Sequence, residues 1–311
     1  MGEPIALESD VMAAALAGVF PVFQTPFRQD DSIDIDGLEA EIDWIHRQGV
    51  DGIVMAMVSE VLRLSDTERQ QLARLSCEFG LAHGPVVVSV GAESTSVAVA
   101  RAGQAEEMGA TAVMAIPPMS VSAGPHELFG YYRALLDAVS VPVIIQDASG
   151  YVGQPMSIGM QADLLDAYQD RVLFKPEAVP IGPRLSALRD ATGGRARVFE
   201  GSGGISLVDS YRRGIVGTMP GAEVCWAVVA LWQALVDDDG DRIDAINGPL
   251  SSLISLQTSL DAFVAVEKHL LVRQGVFTSS RVRGPVAYRL DRETAAEVDR
   301  LFELLRAVVI A

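Results

Sequence analysis

The sequence predicts an α/β protein, a (β/α)8 TIM barrel with a C-terminal helical appendage. Three observations predict it. Short runs rich in Val and Ile recur along the first 220 residues without apolar–polar alternation, the pattern of parallel strands buried on both faces. Amphipathic helical stretches separate them, one after each run. The count is eight runs with seven intervening helices and an eighth helix after them, which is the element order of a closed barrel.

The strands are predicted at "GVFPVFQT" (18–25), "GIVMAM" (52–57), "PVVVSVG" (85–91), "AVMAIP" (112–117), "PVIIQD" (142–147), "VLFK" (172–175), "RVFEG" (197–201) and "GIVGTM" (214–219). Helices are predicted around 35–48, 66–82, 95–108, 125–139, 157–168, 180–191, 204–212 and 222–236. "SDTE" at 65–68 is a capping box that opens the second of them. Glycines in "QGVDG" and "MGATA" stop helices just before a strand. Residues 1–236 form the barrel with a short N-terminal helix, and residues 237–311 a helical appendage packed on it, with no composition break between them. A doubly wound open sheet is the alternative. It would prefer a Gly-rich phosphate loop after the first strand, where "QTPFRQDD" stands.

Composition narrows the function. The 311 residues are 49% hydrophobic, enough for a large core. A net charge of -17 argues against nucleic acid and anionic membranes as partners. No run reaches the length of a membrane span, and the N-terminus has no basic region of a secretory signal. Cys77 and Cys225 make neither a metal spacing nor a disulfide framework, and read as buried thiols of a reducing, cytoplasmic protein. His46, His83, His126 and His269 all fall on predicted helices or helix ends, with no zinc-binding spacing, so neither metal nor cofactor is expected. "DDDGDR" (237–242) lacks the later glutamate of a calcium loop and reads as a solvated connection.

The chemistry is carried by a lysine. Of 24 basic side chains only Lys175 and Lys268 are lysines. Where this chain wants a surface cation it uses arginine. Lys175 ends the apolar run Val172-Leu173-Phe174 and precedes Pro176, so it closes the sixth strand and points into the barrel mouth. An amine there can lose its proton and attack a carbonyl, which a guanidinium cannot. The bland alternative is a structural lysine paired with Glu177 or Glu200. The other strand ends bring Thr25, Met57, Val58, Ser59, Glu60, Glu93, Met119, Gln146, Asp147, Gly201, Ser202 and Met219 toward the same mouth. "EGSGG" (200–204) could cradle an anion at a helix start, but glycine's role in a tight turn needs no ligand.

The order of these motifs resembles the dihydrodipicolinate synthase / N-acetylneuraminate lyase family of class I aldolases and dehydratases. "GVFPVFQTPFRQDDSIDIDGLEAEIDWIHRQGVDGIV" resembles its opening strand and helix, and "VVVSVGAESTSVAVARAGQAEEMGATAVMAIPP" its third and fourth β/α units. "VLFKPEA" resembles the Schiff-base strand, "GIVGTMPGA" the eighth strand, and "VEKHLLVRQGVFTSSRVRGPVAYRL" the C-terminal helices and their linker. The resemblance implies a homotetramer, a dimer of dimers. It also implies an imine between Lys175 and a small 2-oxo acid of pyruvate type, and a reaction that is aldol cleavage, condensation or dehydration. Lys268 falls at a second lysine position of the family and is read as packing or a solvated cation.

The chain also departs from the family. The G-T-T-G-E turn after the second strand is Ala56-Met57-Val58-Ser59-Glu60 here, so both threonines are apolar. Backbone N–H groups there still suit a carboxylate. The family's acid/base tyrosine at the end of the fifth strand is Gln146, which cannot titrate, followed by Asp147. The fourth strand ends Pro117-Pro118-Met119 instead of Pro-Tyr-Tyr, and the synthases' arginine aligns with Tyr151. A replacement acid or base is sought among Glu60, Asp147, Tyr151, Glu177 and Glu200, with Asp147 and Tyr151 nearest the lost tyrosine. The expected catalytic set is therefore Lys175, Gln146, Asp147 and Tyr151. The expected substrate-binding set is Thr25, Met57, Val58, Ser59, Glu60, Met119, Glu177, Gly201 and Met219. These departures argue against an authentic lysine-pathway synthase, and leave a 2-oxo acid binder without efficient turnover as the alternative. Met57, Val58, Met119 and Met219 predict an apolar mouth suited to a short or partly apolar acid.

Overall fold

The computed structural model describes residues 16–150 and 154–310. Eight parallel strands run β1 (Gly18–Val19), β2 (Ile53–Met55), β3 (Val86–Ser89), β4 (Ala112–Ala115), β5 (Val143–Asp147), β6 (Val172–Pro176), β7 (Arg197–Glu200) and β8 (Gly217–Thr218). They pair in the order β1-β8-β7-β6-β5-β4-β3-β2. The ring closes beyond β1, where Val22 bridges both Val54 and Gly221 and the Val54 amide donates to Pro21 O at 2.9 Å. The fold is the predicted (β/α)8 barrel. β1 and β8 pair over fewer residues than their apolar runs span, because Pro21 and Pro220 lack the N–H a ladder needs.

One helix follows each strand: α1 (Ile35–His46), α2 (Asp66–Gly80), α3 (Thr95–Glu107), α4 (Pro125–Ala138), α5 (Ile158–Tyr168), α6 (Ile181–Ala191), α7 (Leu207–Arg212) and α8 (Cys225–Val236). The capping box is present at α2: Ser65 N donates to Glu68 Oε2 at 2.9 Å and Glu68 N to Ser65 Oγ at 3.3 Å. The helix expected before the first strand falls in residues 1–15, outside the described residues.

Strand parity decides what reaches the mouth. Val143, Ile145, Val172 and Phe174 face outward onto the helices. Ile144 and Leu173 face inward with Phe20, Val87, Met114 and Phe199, and fill the barrel. Phe20 and Phe199 meet edge to face at 5.2 Å. The next inward layer pairs Gln146 with Lys175 in register. An apolar plug thus ends where polar side chains begin, at the C-terminal ends of the strands.

Three helices complete the chain: α9 (Gly240–Ile254), α10 (Leu260–Arg273) and α11 (Arg292–Ile310). α9 packs on α8 and α11, while α10 lies over the turns 57–59 and 222–224 at the barrel mouth. Asp239 caps α9 through the Arg242 amide at 3.0 Å, so "DDDGDR" is a helix start.

Lys268 corrects one expectation. It is not a solvated cation, since its side chain is fully buried and ion-paired with the equally buried Glu60. Its Nζ also donates to Arg281 O at 2.8 Å and sits 4.6 Å above the Phe27 ring. Glu60 further accepts the Arg283 amide at 3.3 Å, so one carboxylate joins the β2 loop, α10 and the 281–287 linker. Removing one partner of a buried pair leaves an uncompensated charge, which costs about 3–5 kcal/mol. Lys268→Met is therefore expected to lower unfolding stability by about that amount in urea titration, and Lys268→Met/Glu60→Gln to recover part of it. A single variant as stable as the wild type would refute the tie.

Candidate active site

Lys175 stands inside the mouth, 3% exposed, and its Nζ donates to Glu177 Oε1 at 2.6 Å. Glu177 lies two residues on, hence on the same face of the strand. Its other oxygen accepts from Gln146 Nε2 at 2.6 Å. Gln146 comes from the neighbouring strand in register with Lys175, which explains its reach. The three side chains form one buried chain: amide, carboxylate, amine. Gly201 leaves room for it. A Cβ there would lie 2.8 Å from Glu177 Cγ and 3.0 Å from Lys175 Cε.

These groups border a small cavity of about 40 Å³, which is the floor of the mouth. Met57 and Val58 of the β2 turn and Met219 after β8 supply apolar walls, and Gly201 lies between them. Ser59 N and Glu60 N bond back to Ala56 O and Met57 O, so the turn's own bonds leave out the amides of Met57 and Val58. The roof is α10. Leu260, Phe263 and Glu267 recur at i, i+3 and i+7, one helical face, and all three line the cavity. Among the described residues bordering it, the hydrogen-bonding side chains are Gln146, Lys175, Glu177 and Glu267, with no hydroxyl.

The other expected residues lie away from this floor. Asp147 faces outward: its carboxylate accepts Ser149 N at 3.2 Å, Ser149 Oγ at 2.6 Å and Met156 N at 2.9 Å, and meets Arg184 at 3.6 Å. It ties down the loop after β5. Thr25 Oγ1 donates to Ser59 O at 2.6 Å and Ser59 Oγ to Phe23 O at 2.5 Å, which joins the β1 and β2 loops. Glu60 belongs to the Lys268 tie. Met119 packs with Met57, Ile116 and Leu260 above the rim, its amide on Glu93 at 3.0 Å. Glu200 accepts from Ser202 N and Thr218 Oγ1, at 2.5 and 2.9 Å, and burial raises its pKa. Gly203 and Gly204 have φ of +74° and +107°, so the turn itself demands glycine. Tyr151 lies outside the described residues.

Sequence reading missed Glu267. The signal was there: a glutamate on the same face of the last-but-one helix as Leu260 and Phe263. Behind it lies a buried acidic cluster. Gln24 Nε2 donates to Glu267 Oε2 at 2.8 Å, Gln24 N to Glu41 Oε1 at 2.9 Å, and Gln257 Nε2 to Glu223 Oε1 at 3.1 Å. Burial raises the pKa of Glu41 and Glu267 well above the ordinary 4.5, and that of Glu223 to about 7.

Two outcomes follow from this geometry. Gly201→Ala should push Lys175 off Glu177 and reduce any reaction of the amine at least tenfold, with the melting temperature nearly unchanged; a fully reactive variant would refute the crowding. The cluster sets a pH dependence. The unfolded chain releases these protons near pH 4.5, whereas the folded chain keeps them. Folding then takes up protons above that pH, so this contribution is full below about pH 4.5 and is lost as pH rises through about 7. Melting temperature should fall by several degrees between those values, and Glu223→Gln should flatten the fall. An unchanged slope in Glu223→Gln would show that its carboxyl ionises normally.

Over 94% of this chain and 96% of its own length, an L-2-keto-3-deoxyarabonate dehydratase from Azospirillum brasilense is 26% identical. A 4-hydroxy-tetrahydrodipicolinate synthase from Thermomicrobium roseum is 30% identical over 78% of this chain and 82% of its own. A prophage protein of the dihydrodipicolinic acid synthase family from Escherichia coli K12, solved in complex with pyruvate, superposes with a TM-score of 0.84. That match covers 94% of this chain and 99% of the other at 23% identity, and speaks to the fold. The model of the dihydrodipicolinate synthetase family matches residues 15–303, and the chain belongs to that family.

Proposed function

We propose that the protein is a Schiff-base lyase, an aldolase or dehydratase, acting on a short 2-oxo acid through Lys175. The observation that carries this is a buried amine at the end of β6, 2.6 Å from a carboxylate, on the floor of a cavity of about 40 Å³. At rest Lys175 Nζ donates to Glu177 Oε1. As substrate enters, Glu177 takes the proton and the free amine adds to C2 of the 2-oxo acid. Loss of water gives the iminium, which draws electrons from C3. It thereby stabilises the carbanion formed when C3 loses a proton or when the C3–C4 bond breaks. Gln146 holds Glu177 in place and does not itself titrate. The Met57 and Val58 amides suit the substrate carboxylate.

This reading gives Glu177 the acid/base task and leaves Asp147 as the anchor of the loop after β5. The relative named for dehydration of a 2-keto-3-deoxy sugar acid supports the dehydratase arm. The mouth limits chain length and polarity. The described lining carries no hydroxyl, which leaves a polyhydroxylated substrate with unpaired groups, each costing about 1–3 kcal/mol on burial. Long sugar acids such as sialic acid are disfavoured, and so is lysine-pathway condensation with aspartate semialdehyde.

The test is borohydride trapping scored beside turnover on a panel of 2-oxo acids. Pyruvate should form a reduced adduct with the wild type and with Lys268→Met, and none with Lys175→Ala or Lys175→Arg. Short acids should outpace their polyhydroxylated counterparts by about tenfold for each unpartnered hydroxyl. An adduct that survives in Lys175→Ala moves the nucleophile elsewhere, and no adduct in the wild type ends the reading.

A further inference from the structure

The Lys175–Glu177–Gln146 chain holds a nucleophile and a base. It offers no further acid, because the proton Glu177 takes up is the one Lys175 must lose, and Glu177 keeps it while its two oxygens serve Lys175 and Gln146. Imine formation needs one: the oxygen on C2 leaves as water only after gaining two protons. Among the described residues bordering the cavity, the remaining hydrogen-bonding side chain is Glu267, 1% exposed, on α10.

We propose that Glu267 is the general acid of the site, its protonated carboxyl delivering the proton to the oxygen that leaves C2. This rests on the Lys175 reading above. Two independent observations support it. The first is a shortage of donors. Gln24 Oε1, Glu41 Oε2, Glu223 Oε2 and Gln257 Oε1 are buried and accept no hydrogen bond from the protein. Four orphan acceptors around three carboxyls call for protons on the carboxyls, since a buried carboxylate with no partner is far costlier than a neutral acid.

The second is the charge around Glu267. α1 presents Glu41 and the turn after β8 presents Glu223. On α10 itself Lys268 is spent on Glu60 from the β2 loop, and β6 presents the self-neutralising pair Lys175 and Glu177. Glu223 Oε2 and Glu267 Oε1 crowd the same spot: a Cβ on Gly221 would lie 2.2 Å from one and 2.5 Å from the other. Two carboxyls so placed disfavour both being charged. Burial and the neighbouring carboxylates both raise the Glu267 pKa.

The proton count closes. The Lys175 ammonium gives one proton to Glu177. The amine pair then forms the N–C2 bond while the carbonyl π pair moves to oxygen, which takes the Glu267 proton. The positive nitrogen returns one proton to Glu267. That proton goes to the hydroxyl as the C2–O bond breaks, water leaves, and the nitrogen pair closes the iminium. Glu177 ends protonated and Glu267 ionised, next to the Lys268 cation in sequence.

The experiment is the rate of borohydride trapping of pyruvate in a single turnover, followed against pH. In the wild type the rate should fall on the alkaline side as Glu267 ionises. Glu267→Gln keeps the shape and the hydrogen bonds but has no proton to give. It should trap about 100-fold more slowly, with no alkaline limb. A merely structural role would slow trapping and leave the limb in place. Trapping by Glu267→Gln within threefold of the wild type, or with the limb unchanged, overturns the assignment and leaves the Lys175 imine standing. A wild type that traps nothing overturns both. Should Glu267→Gln not fold, infrared spectra of the wild type decide. A protonated carboxyl band at neutral pH that fades in step with the trapping rate supports the proposal, and the absence of such a band overturns it.

Discussion

A lysine ammonium buried inside a barrel cannot stand alone. Desolvation alone would cost several kcal/mol, so the fold must supply a counter-charge or lose the proton. Here the counter-charge is Glu177, two residues along the same strand face and 2.6 Å away. Much of the mouth follows from that pair. Gln146 stands in register on β5 because the second carboxylate oxygen needs a donor of its own. Position 201 is glycine because any Cβ would strike both members of the pair. The plug of Leu173, Ile144 and Phe199 beneath keeps water from the pair and so keeps the interaction strong.

The roof depends on a second buried pair. Lys268 and Glu60 lock α10 onto the β2 loop, and this holds Leu260, Phe263 and Glu267 over the cavity. The C-terminal helices are therefore part of the mouth, although no barrel strand requires them. A chain with a net charge of -17 places one lysine in each of its two buried pairs, and leaves its surface to arginine and acids.

Much of this was legible in the sequence, for physical reasons. Buried parallel strands announce themselves as Val/Ile runs, so all eight were placed and the helices fell within a few residues. Lys175 was legible because β6 is five residues with strict parity and its neighbour is a proline. Asp147 and Gln146 adjoin in sequence, yet parity sends one into the mouth and the other out to the loop; nearness to a lost tyrosine was a poor guide to which. Packing was one arm of the Lys268 reading, but helix periodicity alone does not reveal a partner 208 residues away. Glu267 was overlooked because long-range burial, not local pattern, makes a helical glutamate unusual. Its neighbours Glu41 and Glu223 lie on elements far apart in the chain and meet only in the fold.

In the proposed reaction Gln146 on β5 does not titrate, and the acid/base work falls to Glu177, just beyond β6. Nucleophile and base then come from one strand, i and i+2, and cannot separate, because parity and the Gln146 bond fix both. Such a site handles one face of its substrate well and the other not at all. In the proposed reaction, proton transfer on the far side comes from another part of the lining, and α10 supplies part of that lining. That requirement explains why the one ionisable side chain on the cavity-facing surface of α10 is an acid set among other acids. A carboxyl beside a cation would ionise and be a second base. Surrounded by Glu41 and Glu223, with Lys268 already committed, it is pushed toward the neutral form that the first strand cannot provide. The acidic cluster and the amine pair are in this sense one device, split between the floor and the roof.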